Sequence, residues 1–274
     1  MNKPFLTVFT PAYNRAYTLP RTFDSMKQQK NTDFVWLIVD DGSSDNTAEL
    51  VKQWQAEENG FEIRYIYKEN GGMHTAHNAA YELIDTELNT CVDSDDALTP
   101  NAIAQIRSHE KSIQGQAAFA GLAFLRGEFS GRMIGTTFSG EFCDCTTLER
   151  EAHHITGDKA EVFYTQVLRR YPFPEFEGEN FLSEAVVWDR IAHDSLKLRW
   201  INEAIYLCEY QPGGLTDRWN RLLYDNPRGH ALWIRQKMDF LSCTGYERFY
   251  LVYSYYYTMN LTADFSMNST LTVQ

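Results

Sequence analysis

Positive charge is in short supply. Against 37 acidic side chains the chain carries 25 lysines and arginines, a formal net charge of −12 over 274 residues. That balance argues against nucleic acid as a partner, because its phosphates need a basic surface; a nucleotide needs only a local site. No uninterrupted apolar run approaches the ~20 residues that cross a bilayer. Cysteine is sparse and irregular. The five, Cys91, Cys143, Cys145, Cys208 and Cys243, contain no CxxC pair. Cys143 and Cys145 stand one residue closer than the usual zinc-knuckle spacing and read as reduced thiols of a cytoplasmic protein. His153-His154 lacks a carboxylate at ligand spacing and reads as structural. No GxGxxG follows the first apolar run, which excludes an ordinary dinucleotide-binding Rossmann domain. Met1-Asn2-Lys3-Pro4 leads directly into a strand pattern, so no signal peptide is expected. Internal repeats and low-complexity linkers are absent.

Hydrophobic residues make up 43% of the chain and charged residues 23%, as in ordinary globular proteins with a proper core. Phe5-Leu6-Thr7-Val8-Phe9 is a compact strand signal, followed by Thr10-Pro11-Ala12-Tyr13-Asn14-Arg15 as a loop. Leu19, Phe23 and Met26 then recur at helical spacing, with Pro20 in a first turn. Phe34 to Val39 is apolar throughout, the mark of a strand buried on both faces. Asp40-Asp41-Gly42-Ser43-Ser44-Asp45-Asn46 follows as a turn rich in helix-capping residues, and Leu50, Val51 and Trp54 carry the next helix. Ile63 to Tyr67 reads as a third strand, Asn70-Gly71-Gly72 as a tight turn, and His74 to Ile84 as a helix. A fourth short strand runs into Asp93, and Ala97-Leu98-Thr99-Pro100 reads as the start of a helix containing Ala102, Ile103 and Ile106.

Strand–helix alternation with short loops implies a parallel sheet covered by helices, whose ligands bind beyond the carboxyl ends of the strands. The polar motifs fall at those ends. Beyond about residue 114 the alternation weakens. Residues 117–125 and 132–137 read as strands, 159–170 as a helix stopped by Tyr171-Pro172-Phe173-Pro174, and 184–193 as another helix.

The most demanding stretch is Asp93-Ser94-Asp95-Asp96. Three carboxylates in four residues repel one another unless water, cations or hydrogen-bond donors surround them. Together with Thr10-Pro11-Ala12-Tyr13-Asn14-Arg15 and Val39-Asp40-Asp41-Gly42-Ser43-Ser44-Asp45, it resembles the signatures of the family 2 glycosyltransferases. The likeness is close over about residues 4–115 and looser over 155–216. It implies an α/β fold of GT-A (Rossmann-like) type, a mostly parallel sheet flanked by helices with a mixed acceptor-side half and a C-terminal helical extension. The expected divisions are 1–115 for nucleotide-sugar binding, 116–216 for the acceptor and 217–274 for the extension.

The resemblance also implies roles. Thr10, Pro11, Ala12, Tyr13 and Arg15 belong to the opening loop, with Pro11, Ala12 and Tyr13 shaping a base pocket and Asp41 accepting from the base N–H. Asp93 stands toward the ribose or as an outer-sphere partner, Ser94 belongs to the donor-binding set, and Asp95, with Asp96 close behind, holds Mn²⁺ or Mg²⁺ through oxygen, as hard cations require. Asn70-Gly71-Gly72-Met73-His74-Thr75-Ala76-His77-Asn78 resembles the third motif, so Gly71, Gly72, His77 and Asn78 are placed at the donor. A basic residue commonly precedes that Asn, and here it is His77. An inverting transfer needs a base for the acceptor hydroxyl. Glu184, counted back from Arg190, holds its position, although Ser183-Glu184 stands where an acidic pair is common; Glu179 is the second candidate. Gly157-Asp158-Lys159 and Gly213-Gly214-Leu215-Thr216 resemble further recurring segments, at the sugar or acceptor edge and in a mobile loop.

The function implied is metal-dependent, inverting transfer of a sugar from a nucleotide-sugar donor, a UDP-sugar first, to a hydroxyl of a glycan or lipid-linked saccharide in bacterial polysaccharide assembly. Two rivals stand: a nucleotide-sugar-binding scaffold, which would bind without turnover, and a sugar-1-phosphate nucleotidyltransferase, which would want a glycine-rich basic loop where Pro11-Ala12-Tyr13 stands. The tyrosine-rich end, Tyr246 to Tyr257, has Arg248 as its one basic residue, so packing onto this chain or a second copy is favoured over electrostatic anchoring to the inner face of a membrane.

Overall fold

The computed structural model describes residues 3–209, 218–242 and 244–270, with side chains through Met259. Gly213-Gly214-Leu215-Thr216 and Cys243 lie outside the described residues. The framework starts with β1 (Leu6–Ala12), α1 (Leu19–Lys27), β2 (Phe34–Asp40), α2 (Thr47–Gln55), β3 (Glu62–Tyr67), α3 (Met73–Leu83) and β4 (Leu88–Cys91). All seven residues of β2 are buried, as a central parallel strand covered on both faces demands. Trp36 of β2 reaches out of the sheet to stack with Trp54 of α2, which in turn stacks on Phe23 of α1 at 4.3 Å between ring centroids. These aromatic contacts fix both helices on one face.

The second half contributes β5 (Ala97–Leu98), α4 (Ala102–Glu110), β6 (Phe119–Glu128), β7 (Phe142–Cys145), β8 (Lys159–Tyr164), α5 (Thr165–Leu168), α6 (Ala185–His193) and β9 (Lys197–Cys208). One nine-stranded sheet results, in the order β3-β2-β1-β4-β8-β6-β9-β5, with β7 beside β9. Pairing is parallel from β3 to β4 and mixed beyond it, where β8 runs antiparallel to both β4 and β6. After β9 come α7 (Trp219–Asp225), α8 (Pro227–Phe240) and α9 (Gly245–Thr270). The tyrosine-rich helix α9 packs on α8, while Tyr246, Tyr250, Tyr253, Tyr256 and Tyr257 stay exposed. Among the described residues no helix is long and apolar enough to cross a membrane.

Several elements depart from the sequence expectation. Thr10-Pro11-Ala12 is the end of β1, paired with Ile38, Val39 and Asp40, rather than a loop. Proline is tolerated there because β4 has stopped pairing at Phe9, leaving no ladder partner on its far side. Ala97-Leu98 forms a short strand against Leu207 and Tyr206, not a helix start. Residues 132–137 make only isolated bridges. Lys159–Tyr164 is a strand, not a helix. It is buried between β4 and β6, and a segment covered on both faces shows no period that separates helix from strand. β7 and β9 were not anticipated at all.

The β3–α3 connection fixes how close the two halves come. Gly72 has φ +90°, and a Cβ placed there would lie 1.8 Å from the Asn180 carbonyl oxygen. Both facts require glycine. Gly72→Ala is therefore expected to destabilise the protein by about 1–3 kcal/mol, measured by urea denaturation. Stability equal to that of the unsubstituted protein would show that the two backbones are not held together at this point.

Candidate active site

The carboxyl ends of β1, β2 and β4 open into a cleft of about 510 Å³, a volume suited to a small-molecule ligand. One wall is Pro11, Ala12, Tyr13 and Arg15, with Tyr13 half exposed; the floor is Asp41 and Gly72; the opposite wall is Asp93, Ser94 and Asp95. Arg218, at the start of α7, and Leu222 within it close the far side. Most residues predicted for the donor thus do come together.

Asp41 is nearly saturated. Its Oδ1 accepts from Lys68 Nζ at 2.6 Å and Gly71 N at 3.0 Å, and its Oδ2 accepts from Gly72 N at 2.8 Å and Asn70 Nδ2 at 3.1 Å. A carboxylate offers about four lone-pair sites, so Asp41 holds the β3–α3 turn in place beside the cleft. Lys68 also donates to Thr75 Oγ1 at 2.8 Å, which extends the hold into α3.

The acidic cluster is managed from the second half of the chain. Tyr206 Oη of β9 accepts from Asp93 N–H at 2.9 Å and lies 2.9 Å from Asp93 Oδ2 and 2.8 Å from Asp96 Oδ2. A phenol has one proton, so it cannot donate to both carboxylates. The second contact requires a carboxylic proton, and burial, reinforced by Asp93, pushes Asp96 up to about 8. Asp95 is also raised, by burial first and Asp93 second. Arg126 of β6 approaches Asp93 at 3.5 Å and lies 4.1 Å from the Tyr206 ring centroid. Asp93 and Asp95 face the cleft, whereas Asp96 is turned inward onto Tyr206.

Glu184 occupies the N-terminus of α6. It lines a small cavity behind the cleft with Arg126, Glu161, His77 and Trp188. Burial raises Glu184 to about 8, with Asp93 as the next cause, while its side chain stays 38% exposed and open to an incoming group. Glu179 is committed elsewhere: its oxygens accept from Arg228 N at 2.7 Å and Gly229 N at 2.8 Å, capping the start of α8.

Four predicted donor contacts do not reach the cleft. Thr10 is buried and accepts from Trp36 Nε1 at 3.0 Å. Asn78 bridges to Phe173 and Glu175. Gly71 contributes its N–H to Asp41 rather than to the cleft wall. His77 is buried among Phe9, Tyr81 and Phe173, and burial lowers its pKa to about 4. It is a neutral ring 3.8 Å from Glu184, not a cation at a phosphate. On the acceptor side, Trp188 packs on Phe163, and Lys159 is buried with its ammonium on the carbonyls of Ile134 and its own loop. Sequence reasoning missed Arg126, Tyr206, Lys68 and Arg218, since single basic or aromatic residues in unread strands and loops carry no local signal.

Residues 7–118 match the sequence model described as Glycosyl transferase family 2. Chondroitin synthase of Pasteurella multocida (strain Pm70) is 36% identical over 100 residues, covering 36% of this chain and 10% of that protein. Glycosyltransferase GlyA of Streptococcus pneumoniae serotype 4 is 24% identical over 234 residues, 80% of this chain and 33% of that protein. The chain therefore spans between a tenth and a third of these relatives. In fold it is similar to S. aureus TarS 1-349 in complex with UDP-GlcNAc, with TM-score 0.67, 17% identity, and coverage of 98% and 76% of the two chains. Mannosyltransferase PcManGT from Pyrobaculum calidifontis, in complex with GDP-Man and Mn²⁺, gives TM-score 0.58 at 15% identity, covering 100% and 77%. The sheet and its flanking helices have the GT-A architecture.

A raised carboxyl has a stability signature. Between the ordinary value of 3.8 and about 8, folded Asp96 keeps a proton that the unfolded chain has lost, so metal-free stability falls as pH rises through that window. Asp96→Asn is expected to flatten that fall, leaving the variant more stable than the parent at pH 8 by on the order of a few kcal/mol. Urea unfolding at pH 5 and pH 8 in chelator measures it. Parallel pH dependences in the two proteins would rule out the shared proton.

Proposed function

We propose that this chain, which belongs to glycosyl transferase family 2 through residues 7–118 and has the GT-A fold, transfers a sugar from a nucleotide-sugar, a UDP-sugar first, to an acceptor hydroxyl with inversion. The observation that carries this is one shared cleft in which an aromatic wall, two arginines and an acidic edge meet at the ends of β1, β2 and β4. Pro11, Ala12 and Tyr13 face the base; Asp41 stands beneath it, offering an acceptor to the base N–H if Lys68 yields its place. Arg15 and Arg218 supply positive charge for the diphosphate, the part once expected of His77.

The donor set fits a hard divalent cation. Asp95 faces the cleft, Asp93 lies beside it, and both offer oxygen, the ligand type that Mg²⁺ and Mn²⁺ take. Asp95 is the first ligand and Asp96 joins only by turning away from Tyr206. When bound, the cation would neutralise charge on the diphosphate as the sugar bond breaks. Support comes from the TarS and PcManGT complexes, which contain UDP-GlcNAc and GDP-Man with Mn²⁺ respectively.

Glu184 is the proposed base. With Glu179 engaged at α8, Glu184 and Glu161 of β8 are the partly exposed carboxylates of the same small cavity that burial raises in basicity, and Glu184 is the one at a helix start. A base works best with a pKa near the working pH, so an upward shift suits the task. Glu184 accepts the hydroxyl proton while the acceptor oxygen attacks the anomeric carbon opposite the departing diphosphate. Chondroitin and hyaluronan synthases among the relatives support a glycan as acceptor. A lipid-linked saccharide is the next choice.

Two measurements test this. In thermal unfolding with nucleoside diphosphates, UDP plus Mn²⁺ is expected to raise the midpoint, and Asp95→Ala to abolish the metal-dependent part; no shift with any nucleotide in any metal would end the donor reading. Glu184→Gln is expected to keep that shift while UDP release from UDP-sugars in the presence of glycan acceptors falls by about 10²–10⁴-fold. Because Glu184 acts deprotonated and is held above its ordinary 4.5, turnover should climb with pH through an inflection above the usual carboxylate range. A flat profile from pH 5 to 8, or full turnover in Glu184→Gln, removes it as base. Retained UDP binding with no turnover in the parent protein would favour the scaffold reading.

A further inference from the structure

On an extended strand alternate residues share a face. Strand β7 pairs only with β9 among the described residues, and it carries Cys143 and Cys145 at that spacing. The residue between them fixes the orientation: Asp144 is clamped from the other side by Arg199, whose Nε and Nη2 donate at 2.8 and 2.6 Å. The two thiols consequently stand together, in side-chain contact. The chain then turns back on itself. Glu149 N–H donates to the Thr146 carbonyl at 3.2 Å, His153 N–H to the Arg150 carbonyl at 3.2 Å, and Ile155 N–H to the same carbonyl at 2.8 Å. Those turns return the His153 ring over the thiols, so that one ligand atom from each of Cys143, Cys145 and His153 lies within 4.8 Å of the others.

We propose that Cys143, Cys145 and His153 are a soft-metal site that takes Zn²⁺, with solvent in the fourth position, separate from the donor cleft. Tetrahedral zinc with Zn–S of ~2.3 Å and Zn–N of ~2.0 Å brings its ligand atoms to roughly 3.5–3.8 Å apart, a small closure from the observed spacing. Two thiolates and an imidazole select zinc over the hard cations expected at the acidic cluster. Cys145 is buried, Cys143 half-buried and His153 exposed, which gives an entry path and a position for water. Glu149 stands beside the cluster, held by Thr146 N–H and Oγ1 at 2.9 Å. The bound metal would pin the 146–155 segment to β7. That segment lines a second cavity of about 260 Å³ with Asp189, Trp233 and Lys237, so the metal stabilises one wall of it.

The direct test is Co²⁺ titration of the full chain, stripped of metal and kept reduced. One equivalent should bind with a thiolate-to-cobalt charge-transfer band and tetrahedral visible bands, both erased by Zn²⁺. Cys143→Ser and His153→Ala, which alter the two accessible ligands, should each weaken binding by more than about 100-fold, beyond the effect of outer-shell changes. Asp95→Ala should leave the spectrum intact, which separates this site from the donor cleft. The proposal fails if the reduced protein gives no thiolate band, if the band survives in both ligand variants, or if thiol-blocked protein is isolated with Cys143 and Cys145 joined as a disulfide.

Discussion

The sharing of Tyr206 between Asp93 and Asp96 is the constraint on which the site depends. Three carboxylates at the end of β4 cannot be packed against a sheet unless something offsets their repulsion and desolvation. The offset comes from far along the chain: the phenol from β9 and the guanidinium of Arg126 from β6. Arg126 is itself fixed by donating through Nε to the Lys159 carbonyl at 2.8 Å. The mixed half of the sheet is thus part of the support of the acidic cluster beside the cleft. It leaves Asp95 toward the cleft and folds Asp96 away. A buried carboxyl group that holds a proton when alone and can lose it when a cation arrives couples metal binding to pH.

A second constraint acts across the cleft. Asp41 gathers four donors from residues 68–72, and the turn so formed lies against the backbone of Asn180 through Gly72. Asn180 and Phe181 in turn donate their N–H groups to Asn226 Oδ1 at 2.8 and 3.0 Å. A chain of contacts therefore runs from β2 to the start of α8, past the cleft wall formed by Asn180 and Phe181. The side chain read as a base-recognition group is also the keystone of that wall. Its substitution would lose structure along with any contact to a ligand.

Legibility followed the kind of signal each element carries. β1, β2 and their helices announce themselves by apolar runs and capping residues, and the turn after β2 falls where the sequence put it, whereas β1 runs on through Thr10-Pro11-Ala12. The acidic cluster was visible because like charges crowd together. β8 was misread because burial on both faces erases periodicity, and β9 was unread because its exposed and half-buried positions alternate irregularly over twelve residues. Tyr206 could not be assigned without β9, and Arg126 of β6 is brought to the cluster only by the pairing of β6 with β8 and β9. Cys143 and Cys145 were set aside because their spacing was judged as a knuckle; only the strand, with Asp144 facing the other way, makes an i, i+2 pair converge. His153 is brought to them by turns that leave no mark in composition.

His77 shows why position alone misled. At the place where the resembling family commonly has a basic residue, the ring is enclosed by aromatics, with Nδ1 2.9 Å from Tyr81 Oη and Nε2 3.6 Å from Cys91 Sγ. Burial lowers it to about 4, so near neutral pH it brings no charge to Glu184 at 3.8 Å. An imidazolium there would favour the ionised carboxylate and pull the Glu184 pKa down. A neutral ring leaves burial and Asp93 to raise it, and so preserves the basicity that the proposed proton transfer needs. Positive charge is displaced instead to Arg15 and Arg218, on the cleft that the diphosphate would occupy. Arg15 and Arg218 line the cleft while Glu184 lines the separate small cavity, so the proposed cations for the leaving group and the proposed base do not share one cavity.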